Sequence, residues 1–111
     1  MQYMLLIYGD PDSYGDVSDE DRREMYAKYA AISATPGILG GAELASLDAA
    51  TTVRVRGGET LTTDGPFVEM KESIGGYYLF EADSLDDAIA VAARIPGAAT
   101  GAVEVRPLVE N

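Results

Sequence analysis

Two apolar segments constrain the fold of this chain more than any other feature of its sequence. The first, "QYMLLIY", covers Gln2–Tyr8, and the second, "GGYYLFEA", covers Gly75–Ala82. Both are short, continuous and flanked by turn or charged residues, a pattern typical of strands that are covered on both faces. The length of 111 residues is that of one domain, which we expect to span residues 1–111. This single domain must therefore bury both sides of a β-sheet.

Two helices are predicted on either side of a central β-rich region. Ser18 is the expected N-cap of the first helix, which runs to about Ala34 with an apolar stripe at Met25, Tyr29 and Ile32. Ser84 is the expected N-cap of the second helix. The apolar stripe of this second helix is predicted to consist of Leu85, Ala88, Ile89 and Ala92.

The remaining segments predict strands. "ILGGAELASL" is a strand weakened by its glycines, and "TTVRVR" and "ETLTT" are joined by a two-residue turn at Gly57–Gly58. "AVEVRPLVE" is an alternating strand in which Pro107 favours an edge position or a late bulge. The order β-α-β-β(hairpin)-β-α-β, in which the hairpin contributes two strands, predicts the α+β class, with a ferredoxin-like split βαβ layout. In this layout two helices cover one face of an antiparallel sheet.

The other face of that sheet has no helix to cover it. An exposed apolar patch of roughly several hundred Å² is rare on a monomer. We therefore expect a homodimer that forms through the open sheet face, so that two opposed sheets enclose a cavity.

Composition excludes several classes of function. Cysteine and histidine are absent, so Ser-His-Asp and Cys-His catalysis and Cys/His metal sites are excluded, and we predict no metal and no cofactor. The net charge of −11 disfavours nucleic acids and anionic membranes. The N-terminal apolar run, Tyr3–Tyr8, is too short for a signal peptide or a membrane span, which indicates a cytoplasmic protein.

The stretch "TTDGPFVEMKES" contains the first candidate site residues. Asp64 either forms an Asx-turn, with Phe67 anchoring the turn on the core, or lies at the mouth of the cavity as an acid/base or polar anchor. Lys71 lies in a mixed-charge loop that is either solvated surface or a flap which contacts an anionic group.

Arginines and tyrosines in strands are the remaining candidates. Arg54 and Arg56 share one strand face, and Arg106 lies beside Glu104. These arginines either face solvent and pair with acids or bind a small anionic ligand. The tyrosines Tyr8, Tyr77 and Tyr78 are candidates for packing or for hydrogen bonds to a ligand, and the adjacent Tyr77 and Tyr78 must point to opposite faces.

Nearly the whole sequence, and above all "TTVRVRGGETLTTDGPFVEMKESIGGYYLFEADSLDDAIAVAARIP", resembles the YCII-related family in its "DGPF" subgroup. The resemblance implies a dimeric α+β barrel, and the subgroup resembles proteins encoded beside extracytoplasmic-function sigma factors, which implies a sigma-factor-related partner. Some family members are suspected enzymes because of a His-Asp pair, which this chain cannot form because it has no histidine.

Two classes of function remain open. The first is a protein that binds a small ligand or acts in regulation. The alternative is a cofactor-free enzyme, resembling a lyase, isomerase or monooxygenase, that uses Asp64 with arginine and tyrosine groups in the dimer cavity; it rests on analogy of fold.

Overall fold

The computed structural model describes residues 1–11, 17–68 and 71–110. Its elements follow the predicted order, with two additions: a 3-10 turn before the hairpin and one short helix before the last strand. They are β1 (Gln2–Gly9), α1 (Asp19–Ser33), β2 (Ile38–Glu43), a 3-10 turn (Leu47–Ala49), β3 (Thr51–Arg56), β4 (Glu59–Asp64), β5 (Ser73–Glu81), α2 (Leu85–Arg94), α3 (Gly97–Thr100) and β6 (Ala102–Pro107).

The main sheet has four antiparallel strands in the order β2-β5-β1-β6. The two apolar segments form its interior strands, and β6, which ends at Pro107, lies at an edge, as predicted. The α+β class with an antiparallel sheet is thus confirmed. The strands β3 and β4 pair only with each other and form a separate two-stranded sheet.

The hydrophobic core lies on one face of the main sheet. Leu5 at the centre of β1 is fully buried and is paired with Tyr78 of β5 and Val105 of β6. The helices contribute Ile32, Val91 and other side chains to the same cluster. The helices therefore cover one face only, because a strand presents alternate residues to each side.

Both predicted helix starts are confirmed by capping hydrogen bonds. Ser18 Oγ accepts a bond from the Asp21 N–H at 3.1 Å, and Ser84 Oγ accepts one from the Asp87 N–H at 3.2 Å. Each bond satisfies a backbone donor that the first turn of a helix leaves unpaired.

The predicted apolar stripe of α2 is partly wrong. Ala88 and Ala92 are buried as expected, but Leu85 and Ile89 are 50% and 48% exposed, and Val91 is buried in their place. The helix buries Ala88, Val91 and Ala92, and it leaves Leu85 and Ile89 at the margin of the contact.

The opposite face of the main sheet, here called the open face, carries the alternate residues of the same strands. In register these are Met4, Leu6 and Tyr8 of β1, Tyr77 and Leu79 of β5, and Glu104 and Arg106 of β6. Tyr77 and Tyr78 thus point to opposite faces, as predicted. None of the described helices is long and apolar enough to span a bilayer.

Candidate functional site

A cleft of about 520 Å³ separates the N-terminal part of α1 from the end of the main sheet where β2 and β5 meet. Helix α1 touches the core through Ile32, near its C-terminal end, and this is its only buried residue. Toward the other end of the helix, Met25 is half-buried and Tyr26 is 51% exposed. The helix therefore diverges from the sheet toward its N-terminus, and the gap is the cleft, here called the α1 cleft.

The sheet contributes a floor that is poor in side chains. The β1–β5 register shifts between Ile7 and Tyr8, which leaves Gly75 as an extra residue in β5. A Cβ on Gly41 would lie 2.5 Å from the Tyr77 carbonyl oxygen, so a side chain there would force the two strands apart. Gly41, Gly75 and Gly76 all line the cleft, and their small size leaves its volume open.

Tyrosines and a serine form much of the wall. Tyr78 OH donates a hydrogen bond to the Tyr29 carbonyl oxygen at 3.0 Å, and Ser33 Oγ donates to the same oxygen at 3.1 Å. The two hydroxyls are 3.4 Å apart. The Tyr78 hydroxyl therefore ties β5 to α1 and fixes the closed end of the cleft.

Among the described residues, the charged groups that line the α1 cleft are Arg22 and Glu43. The Tyr26 hydroxyl lies 3.4 Å from both carboxylate oxygens of Glu43, which connects α1 to β2 across the cleft. Arg22 forms no ion pair with any residue that the structure describes. The site thus offers a cation, a carboxylate and several hydroxyls within an otherwise apolar surface.

A second, more open cleft of about 570 Å³ shares Val17, Met25 and Tyr29 with the first. Its other lining residues are mainly charged and include Lys28, Lys71 and Glu72. Lys71, a predicted ligand-binding residue, is exposed there. Its neighbours Glu69 and Met70 in the predicted flap lie outside the described residues.

Asp64 lies at the exposed end of β4, opposite Thr51. The predicted Asx-turn is absent, since no described residue donates a hydrogen bond to its carboxylate. Gly65 makes the turn instead, with φ at +100°, and its N–H donates to the Ala50 carbonyl at 2.8 Å. Thr52 Oγ1 donates to the Gly65 carbonyl, also at 2.8 Å. A glycine needs no side-chain bond to adopt this backbone conformation.

The prediction that Phe67 anchors this turn on the core is wrong. Phe67 is 67% exposed, and the Arg54 guanidinium lies 4.6 Å from the centroid of its ring. The cation–π contact holds Phe67 against the β3–β4 hairpin, away from the core. Arg54 and Arg56 lie on the same face of β3, as predicted, and Arg56 Nη1 donates to the Val55 carbonyl at 2.9 Å.

Tyr8 and Arg106 come together on the open face, around Glu104. Tyr8 OH donates to Glu104 Oε1 at 3.1 Å, and Arg106 Nε donates to Glu104 Oε2 at 2.6 Å. The predicted pairing of Arg106 with Glu104 is confirmed. Partial burial, together with the adjacent Glu104 carboxylate, raises the pKa of Tyr8 above its ordinary value of 10.0.

The predicted site residues therefore occupy different places. Tyr78 lines the α1 cleft, and Lys71 lines the second cleft. Tyr77 also borders the α1 cleft, but its side chain belongs to the open face. The others lie elsewhere: Asp64, Arg54 and Arg56 on the hairpin, and Tyr8 and Arg106 on the open face.

Sequence reasoning did not identify Arg22, Tyr26, Ser33 and Glu43 as site residues. Arg22, Tyr26, Tyr29 and Ser33 are spaced by four, three and four residues, so they share one face of α1. That spacing is visible in the sequence, but Glu43 joins the group only through the packing of β2.

The family model of the YCII-related domain matches residues 1–111. An uncharacterised protein of Rhizobium meliloti is 38% identical to this chain over 114 residues, an alignment that covers 97% of this chain and 92% of that protein. Neither finding distinguishes the "DGPF" subgroup, which stays a prediction.

Proposed function

This chain belongs to the YCII-related family, and on that premise we propose that it binds a small organic molecule with an acidic group in the α1 cleft. One observation carries the proposal: a cleft of about 520 Å³ lined by tyrosines also presents Arg22 without an ion-pair partner among the described residues.

The size and lining of the cleft favour a ligand. Pockets for small molecules usually enclose about 300–1,000 Å³ and combine an apolar wall with a few polar groups. Here Ile7, Met25 and Leu44 supply apolar surface, while Arg22 and the Tyr26 hydroxyl supply polar groups. A compact aromatic or aliphatic body would occupy the apolar part.

Arg22 favours a carboxylate or a similar anion on that body, because a guanidinium binds a carboxylate through two parallel hydrogen bonds. The net charge of −11 opposes the approach of anions in general. Selectivity for an acidic ligand therefore requires a local cation, which Arg22 supplies.

Binding is proposed in preference to catalysis because of where the carboxylates lie. The enzyme alternative requires Asp64 together with arginine and tyrosine groups, whereas Asp64 is exposed at the end of β4. In the α1 cleft, Glu43 interacts with Tyr26 and is exposed at the mouth. No observation favours the enzyme as a second candidate function.

Two protein partners are also proposed, a second copy of this chain and a sigma-factor-related protein, and the first has more support than the second. The apolar side chains Met4, Leu6 and Leu79 on the open face support a homodimer through that face. A sigma-factor-related partner is supported by the family resemblance alone.

The binding proposal is tested by thermal shift with a set of small aromatic and aliphatic carboxylates. We expect at least one of them to raise the melting temperature of the wild type, and Arg22→Gln to abolish that shift. Arg23→Gln is the matched control, because Arg23 is also exposed on α1 but does not line either cleft. A shift that both variants retain, or lose equally, would contradict the proposal.

A further inference from the structure

The α1 cleft places a carboxylate in the same space as the cation that the proposed function requires. Arg22 and Tyr26 are one helical turn apart on α1, so their side chains are neighbours on one face of the helix. The Tyr26 hydroxyl lies 3.4 Å from each carboxylate oxygen of Glu43, which belongs to β2. All three residues line the cleft, so a guanidinium and a carboxylate border one ligand-sized volume.

Neither of these charges is neutralised by the fold. The ion pairs among the described residues include neither Arg22 nor Glu43. Within the same part of the chain, the only hydrogen-bond donor to the Glu43 side chain is Tyr26, at a distance that marks a weak bond. An ionised carboxylate has about four acceptor sites, so Glu43 can accept further bonds from a ligand. Both ends of a dipolar molecule therefore have an available partner in the cleft.

We propose that the ligand of the α1 cleft is a zwitterion, namely an amino acid with an apolar side chain. This inference rests on the proposed function, in which Arg22 binds an acidic group. It adds that Glu43 binds an ammonium group of the same molecule, whose three N–H donors suit a carboxylate. Glu43 is then the residue that selects amino acids over simple carboxylic acids.

The charge of the whole chain favours a zwitterion over a simple acid. The net charge of −11 repels an approaching anion, whereas a zwitterion has no net charge and is not opposed in this way. Inside the cleft, a simple acid would bring a second negative charge toward Glu43 and leave that carboxylate without a cation. Specific sites commonly combine such a repulsion with an attraction for the correct partner, and Glu43 supplies both.

The rest of the lining fits an apolar side chain. Ile7, Met25 and Leu44 provide apolar surface, and the glycine floor of the cleft adds no side chain that would occupy the space between them. Arg22 and Glu43 are both exposed. An aliphatic or aromatic side chain can therefore be covered while the ammonium and the carboxylate of the ligand stay at the charged, exposed margin.

Two matched sets of probes test the inference by NMR titration of the isotopically labelled chain at neutral pH. The first set is phenylalanine, hydrocinnamate and phenethylamine, and the second is leucine, isocaproate and isoamylamine. Within a set the apolar body is the same, and the second and third molecules lack the ammonium and the carboxylate respectively. In at least one set we expect the amino acid to bind about threefold more tightly than its acid and its amine. The factor is modest because water screens exposed ion pairs.

Variants assign that preference to Glu43. Glu43→Gln should remove the preference for the amino acid over the acid and leave the acid bound, because the amide has no negative charge to attract an ammonium group. Glu20→Gln is the matched control, since Glu20 is exposed on α1, lines neither cleft and loses the same charge. The preference should persist in this control.

The outcomes separate this inference from the proposed function. An acid that binds in wild type but not in Arg22→Gln, with no gain from the ammonium group, would reject the zwitterion and leave acid binding intact. A preference that survives in Glu43→Gln would have the same meaning. An amine that binds more tightly than its amino acid would show a site for cations, and the absence of a saturable shift with every probe would show no site; either result rejects both proposals.

Discussion

At the scale of single residues, the hydrogen bonds of the tyrosines show which hydroxyl stabilises the fold and which one a ligand can contact. Tyr78 donates to the Tyr29 carbonyl and is 7% exposed, so its hydroxyl holds α1 against β5. Tyr26 is 51% exposed and lies at the longer distance of 3.4 Å from the Glu43 carboxylate. Of these two, Tyr26 is the phenol that a ligand in the α1 cleft can contact without breaking a buried bond.

Tyr8 gives a prediction about alkaline stability. Its pKa is raised in the folded chain by partial burial and by the hydrogen bond to Glu104, so the folded state retains this proton at a pH where the unfolded state loses it. The stabilisation that this provides is fully present below pH 10 and is lost as the pH rises through the raised value. The free energy of unfolding of wild type should therefore fall more steeply above pH 10 than that of Tyr8→Phe.

Urea titrations of both proteins at neutral pH and above pH 10 measure this difference, and the six other tyrosines act as an internal control because both proteins contain them. Parallel losses of stability in the two proteins would show that Tyr8 titrates as an ordinary phenol.

At the scale of helices and strands, the features that depend on a local sequence pattern were predicted correctly. The strand and helix order, the two serine caps and the Gly57–Gly58 turn were all predicted, because each follows from periodicity or from the chemistry of one or two residues. The face of α2 that is buried was predicted only in part. Val91 and Leu85 are both apolar, so only the packing of the helix on the sheet determines which of the two is buried. The α1 cleft was missed because it results from the divergence of a helix from a sheet, which no local pattern encodes.

Strand β1 provides a prediction from its two faces. Leu5 points into the core and is 0% exposed, whereas its neighbour Leu6 points to the open face and is half-buried. Leu5→Ala should lower the free energy of unfolding by about 2–5 kcal/mol at any protein concentration, because it leaves a cavity in the core.

Leu6→Ala should destabilise the chain less than Leu5→Ala does in dilute solution, and its effect should grow with protein concentration as a second copy covers the open face. Denaturation at several concentrations measures both effects. Equal costs for the two variants in dilute solution would contradict the assignment of Leu6 to an uncovered face.

At the scale of the whole molecule, two surfaces are left uncovered when a single chain folds. One is the open face, which the proposed homodimer would cover. The other is the α1 cleft, which lies on the helix side of the sheet and so stays accessible when the open face is covered. The two proposals are therefore independent, and the oligomeric state does not decide whether the cleft binds a ligand.

The most direct test of ligand binding in the α1 cleft is a titration of isotopically labelled protein with small carboxylates, followed by amide chemical shifts in NMR spectra. We expect saturable shifts at Tyr26, Gly41 and Glu43, which line the cleft, and no change at Gly57 and Gly58 in the turn between β3 and β4. Shifts concentrated on the open face or on the β3–β4 hairpin, or no saturable shift with any carboxylate in the set, would contradict a binding site in the α1 cleft.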